Sequence, residues 1–97
     1  MILSGGANIY PAEVEVALSE HPDVVSSAVI GLPDEDLGNR IHALVQVSQP
    51  INEDELRTFL SERLVRYKVP RTFEFTSDAV RDDAGKVRRS ALRDERS

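Results

Sequence analysis

The spacing of hydrophobic side chains changes from segment to segment along the 97-residue chain, and each spacing predicts an element. Val14, Ala17 and Leu18 recur at i, i+3 and i+4, which predicts a helix with one apolar stripe. Pro11 suits its first turn and Glu13 the positive end of its dipole, while Pro22 disfavours helical backbone at His21 and sets the expected stop. Val24 to Leu32 is dense in β-branched and small apolar residues, with Ser26 and Ser27 as its polar positions, and reads as a strand buried on both faces. A turn-forming stretch, Pro33-Asp34-Glu35-Asp36-Leu37-Gly38-Asn39, follows. Ile41, Ala43, Val45 and Val47 then alternate with His42, Leu44, Gln46 and Ser48 as a second strand, expected to pair antiparallel with the first.

Asn52 and Glu55 have the spacing of a capping box, and Leu56, Phe59, Leu60 and Leu64 form a second helical stripe, with Arg63 and Arg66 expected in its final turn. Thr72-Phe73-Glu74-Phe75-Thr76 alternates as a half-buried strand would. Residues 77–85 show no period, and Val87 to Arg93 supports at most two helical turns on Val87, Ala91 and Leu92. Residues 1–8 read as a turn or loop around Gly5-Gly6. The predicted fold class is α+β: a small three-stranded sheet, an antiparallel hairpin plus a third strand, with helices packed on it in the order α-β-β-α-β-α.

Composition narrows what such a domain does. At 97 residues it buries a core but no deep substrate cavity as well, so its chemistry is expected at the surface. The net charge of −5 argues against a nucleic-acid binder. No apolar run approaches the roughly 18 residues of a membrane span, and Met1-Ile2-Leu3 passes straight into Ser4-Gly5-Gly6 without a signal-peptide pattern. With no cysteine there is no disulfide or thiolate metal site, and a cytoplasmic setting is expected. Residues 1–80 carry 6 basic and 13 acidic side chains, whereas residues 81–97 carry 6 basic and 4 acidic ones.

The familiar catalytic constellations are missing. His21 and His42 have no third metal ligand, Ser4 lacks a strand-elbow-helix setting, Gly5-Gly6 has no lysine directly after it, and Asp34-Glu35-Asp36 lacks calcium-loop spacing. Lys86 is conspicuous, one of two lysines, on the polar loop Asp82-Asp83-Ala84-Gly85-Lys86-Val87 in the basic C-terminal segment. A solvated surface charge and an ammonium delivered to an anionic reacting centre both fit that placement.

Three segments together carry a resemblance. Ser4-Gly5-Gly6-Ala7-Asn8-Ile9-Tyr10-Pro11-Ala12-Glu13-Val14-Glu15, Tyr67-Lys68-Val69-Pro70-Arg71 and Ala84-Gly85-Lys86-Val87-Arg88-Arg89 occur in that order across practically the whole chain. They resemble the C-terminal domain of the acyl-adenylate-forming enzymes, which include acyl- and aryl-CoA synthetases, adenylation domains of nonribosomal peptide synthetases and firefly luciferase. The Tyr10-Pro11-Ala12-Glu13 form is most similar to an acyl-CoA synthetase.

The resemblance implies that residues 1–97 are the mobile, lysine-bearing domain of a larger enzyme. Its own N-terminal domain, expected to precede Met1 beyond a hinge, would bind the carboxylic acid and most of ATP and Mg2+. Lys86 would then be catalytic for acyl-AMP formation, with Gly85 letting its loop insert. Gly5, Gly6, Ala7 and Asn8 would line the pantetheine tunnel for CoA. Ala84 departs from the hydroxyl or amide usual there, and Asp82 and Asp83 add charge that would pair with Lys86 when the domain stands open. Asn39 stands where glutamate is frequent, without expected catalytic consequence. Two alternatives stay open: a domain serving a carrier protein instead of free CoA, and an independent non-catalytic adaptor or binding module.

Overall fold

The alternating strand at Ile41 to Val47 is the spine of the molecule. A computed structural model describes residues 1–96 and gives β1 (Ile2–Ser4), β2 (Ala7–Ile9), α1 (Pro11–Ser19), β3 (Val24–Asp34), β4 (Gly38–Val47), α2 (Glu53–Ser61), a 3-10 turn (Arg66–Lys68), β5 (Thr72–Thr76) and α3 (Arg89–Arg96). β4 lies central in the order β3-β4-β5, antiparallel to β3 and parallel to β5. Parallel neighbours cannot be joined by a tight turn, and α2 supplies the crossover between β4 and β5.

The predicted both-face burial of β3 holds from Ser27 to Leu32, whereas Val25 near its start is exposed, and the register shows why the middle is covered. Val29 opposes Ala43 on one face, and Ala28 and Ile30 oppose Leu44 and His42 on the other. On the first face Val29, Ile41, Ala43 and Val45 meet Val14, Ala17 and Leu18 of α1 and Leu56 and Leu60 of α2, with Phe73 and Phe75 packed alongside. Ala28, Ile30 and Leu44 are also buried, on the face where α3 packs against β3.

Four expectations needed correction. Residues 1–8 are not simply a loop: β1 and β2 form a hairpin in which Ile2 faces Ile9 and both enter the core. Gly5 and Gly6 are its two turn residues, at φ +57° and +84°, the backbone that a two-residue hairpin turn requires. α2 ends at Ser61, so Arg63 and Arg66 lie beyond its last turn; Arg63 instead stacks on Phe59 at 3.6 Å and bonds Glu20 at 3.0 Å. α1 closes at Ser19, although the His21 N–H still donates to the Leu18 carbonyl. α3 is shifted to Arg89–Arg96 and buries no residue, so its position needs other anchors.

Candidate functional site

The two loops singled out by sequence sit at opposite ends of β3. The Gly5 N–H donates to the Leu37 carbonyl (2.9 Å), just past the C-terminal end of the strand. Arg81, at the root of the lysine loop, donates to Ser26 Oγ and the Ser27 carbonyl (both 3.1 Å), near its start. At about 3.4 Å per residue, Ser27 to Asp34 separates them by roughly 24 Å.

At the hairpin end, Ser4, Gly5 and Ala7 line a cleft of about 580 Å³ with Arg66, Tyr67 and Arg71. The 67–71 motif reaches this place because Pro70 is fully buried and the Arg71 N–H donates to the Ile41 carbonyl at 2.9 Å. Lys68 turns away to bond Glu13 at 2.8 Å, and that hydrogen bond holds its ammonium above its ordinary pKa. Asn39 donates to the Leu3 carbonyl at 3.1 Å and so supports the hairpin. Gly6 and Asn8 are exposed and do not line this cleft.

Arg66 and Arg71 make no ion pair among the described residues. They belong to a basic stretch that a charge division at residue 80 conceals: residues 57–71 hold Arg57, Arg63, Arg66, Lys68 and Arg71 against Glu62 alone. The basic C-terminal segment is therefore one of two.

At the other end, Lys86 stands exposed on a closed turn. The Gly85 N–H donates to the Asp82 carbonyl and the Asp82 N–H to the Lys86 carbonyl, at 2.9 and 3.0 Å. Asp82 Oδ1 accepts from the Ala84 and Lys86 N–H groups at 3.0 and 2.9 Å. The expected pairing of Lys86 with Asp82 or Asp83 does not occur among the described residues; Asp82 Oδ1 is engaged by backbone donors and Asp83 is exposed. Gly85 has φ +76° with open space where a Cβ would stand, so here the turn's backbone, not crowding, calls for glycine.

Sequence reasoning passed over the residues that hold this loop. Glu15 projects from α1 and is 8% exposed. Its Oε1 accepts from Arg81 (3.2 Å) and Arg89 (2.8 Å), and its Oε2 from Arg89 (2.9 Å) and the Val29 N–H (2.8 Å). The only available sequence signal was an acid beside the apolar stripe of α1, which resembles an ordinary solvated position.

A second carboxylate fastens the far end of α3. Arg96 donates to both Glu74 oxygens at 2.7 Å, and these hydrogen bonds hold the Glu74 carboxyl at about 2, below its ordinary 4.5. Buried His42 lies within 3.2 Å of Glu74 Oε1 and 2.7 Å of Thr72 Oγ1, and burial pushes its pKa down. Among the described residues no three His, Cys, Asp or Glu groups converge as metal ligands, and no helix is long and apolar enough to cross a membrane.

Residues 13–86 match the AMP-binding enzyme C-terminal domain. The chain belongs to that family. It is 43% identical over 96 residues to a fatty acid–[acyl-carrier-protein] ligase of Streptomyces coeruleorubidus, covering 96% of this chain and 18% of that one. It is 44% identical over 92 residues to 2-succinylbenzoate–CoA ligase of Bacillus licheniformis, covering 95% of this chain and 19% of the relative. It also superposes, with a TM-score of 0.86 and 39% identity, on Bacillus subtilis o-succinylbenzoate CoA synthetase in complex with its acyl-adenylate intermediate, covering 93% of this chain and 19% of that one. The chain thus spans about a fifth of the length of these relatives, and it is a C-terminal domain of the adenylate-forming type.

Proposed function

We propose that residues 1–97 serve as the mobile C-terminal domain of an ATP-dependent acyl-CoA synthetase, converting a carboxylic acid, ATP and CoA to acyl-CoA, AMP and pyrophosphate. A separate N-terminal domain would hold the acid, most of ATP and Mg2+, whose charge would offset that of the phosphates. The observation that carries this reading is the exposed ammonium of Lys86, which has no ion-pair partner among the described residues, on a turn whose Asp82 Oδ1 is engaged by backbone N–H groups.

In the first half-reaction a carboxylate oxygen forms a bond to the α-phosphorus of ATP while the bond to the bridging oxygen breaks and pyrophosphate leaves. Both reactants are anions. A compact ammonium between them offsets their repulsion and holds them in line, the part assigned to Lys86. In the second half-reaction the thiol attacks the acyl carbonyl and AMP departs. The cleft at Ser4, Gly5, Ala7 and Tyr67 would take the pantetheine arm, with exposed Gly6 and Asn8 completing its mouth in the closed enzyme, and Arg66 and Arg71 suit the phosphates carried behind it.

In the full-length enzyme, Lys86→Ala is expected to slow acyl-AMP formation, read by ATP–pyrophosphate exchange, on the order of 10²–10³-fold. An unchanged exchange rate would sink the proposal, and so would any turnover by residues 1–97 alone.

One observation favours keeping a second thiol acceptor: a relative at 43% identity is an acyl-carrier-protein ligase. Rates with free CoA and with holo carrier protein, compared in the same enzyme, decide between them.

A further inference from the structure

We propose that Glu15 is a positioning residue for adenylation: it draws Arg81 and Arg89 onto one carboxylate and thereby sets the turn that presents Lys86. The proposal rests on the adenylation role assigned to Lys86 and adds to it the part of the fold that aims the lysine.

Arg81 and Arg89 bracket the lysine turn in sequence and both end on Glu15. Arg81 also donates to the Gly85 carbonyl at 3.1 Å, so one guanidinium touches the anchor and the turn at once. Arg89 donates to the Val29 carbonyl at 3.3 Å, and Glu15 accepts from the Val29 N–H at 2.8 Å. The cluster therefore occupies the free edge of β3 at Ser27 and Val29, where outward backbone groups have no strand partner. With four hydrogen bonds arriving, both carboxylate oxygens are saturated. The turn beyond the clamp carries no buried apolar side chain: residues 82–86 are all exposed. Its placement relative to the domain thus depends on these charge-assisted bonds. Glu15→Gln keeps the shape and supplies one NH2 where two guanidiniums expect an anion, so the bracket opens.

Closing an edge would explain Glu15 without any catalytic consequence, and kinetics separate the two. Acyl-AMP formation and thioester formation from supplied acyl-AMP are measured in the full-length enzyme for Glu15→Gln, Lys86→Ala and the double variant. The expected result is a loss on the order of 10²-fold in acyl-AMP formation for Glu15→Gln, as for a misplacement of about 1 Å, with thioester formation within about twofold of wild type. In the Lys86→Ala background Glu15→Gln should cost nothing further, since it acts through the lysine. Arg89→Lys, which keeps the charge but cannot span both Glu15 oxygens and the Val29 carbonyl, should give a smaller loss confined to the same half-reaction. A wild-type acyl-AMP rate in Glu15→Gln, equal losses in both half-reactions, or an additive loss on Lys86→Ala overturns the positioning role while leaving the lysine's role standing. A wild-type acyl-AMP rate in Lys86→Ala overturns the proposed function itself.

Discussion

The hairpin loop and the lysine loop are both short turns built on glycine at positive φ, yet opposite forces hold them. Gly5-Gly6 closes a hairpin whose flanks, Ile2 and Ile9, are buried in the core, and Asn39 and Leu37 bond it from outside. The Gly85-Lys86 turn has no buried apolar side chain of its own; Arg81 and Arg89 on Glu15, and Arg96 on Glu74 at the far end of α3, tie its segment down. Apolar burial is indifferent to pH and little weakened by salt, whereas charge-assisted contacts at a partly exposed surface respond to both. Under the proposed function, the hairpin as a cleft wall would gain from the first kind of anchoring, and the lysine segment, which would enter and leave a reacting centre, from the second.

Breaking the hairpin anchor should have the largest effect. Ile9→Ala removes a fully buried side chain and is expected to cost about 2–5 kcal/mol, read as a fall in the global denaturation midpoint with little selective effect at residues 82–88. Gly6→Ala places a Cβ on a backbone at φ +84°, so it should cost about 1–2 kcal/mol through strain alone, since no atom stands within 4 Å of that Cβ. Arg96→Gln touches only the other region. With Glu74's side chain 41% exposed, solvent screening holds the expected loss to about 1 kcal/mol, seen as faster amide exchange in α3 while β1 and β2 stay protected.

Acidification should produce the mildest and most selective change. Glu74 titrates at about 2 in the folded chain against an ordinary 4.5. Its contribution is present above 4.5 and is lost as pH falls from there toward 2, because the unfolded chain takes up the proton first. His42, pushed down by burial, adds a loss of the same sign that begins as pH drops below its ordinary 6.5. α3 should therefore loosen on acid titration before the hairpin does; simultaneous loss of α3 and hairpin signals by NMR would erase the distinction between the two regions.

The legible parts of the sequence were those carried by period and punctuation. β3, β4 and β5 follow from β-branched density and alternation, and Asn52 caps α2 as its spacing predicts, accepting from the Glu55 N–H at 3.1 Å. The β1–β2 hairpin was obscured because each strand is three residues long, too short to show alternation, although a Gly-Gly pair between Leu3 and Ala7 was an available signal. Lys86 and the glycines could be singled out because rare residue types at motif spacing are visible in one dimension. Glu15, Arg81 and Arg89 could not, since arginines and glutamates are abundant here and their meeting depends on α1, β3 and the C-terminal segment converging at one edge.

The central claim is that each loop serves one half-reaction. It is tested most directly by measuring acyl-AMP formation and thioester formation from supplied acyl-AMP for Lys86→Ala and for Gly5→Leu, whose side chain would be set against Leu37 in the cleft. The account predicts a crossed pattern, with Lys86→Ala losing the first rate and keeping the second, and Gly5→Leu slowing the second more than the first. Parallel losses in both rates for both variants would contradict it.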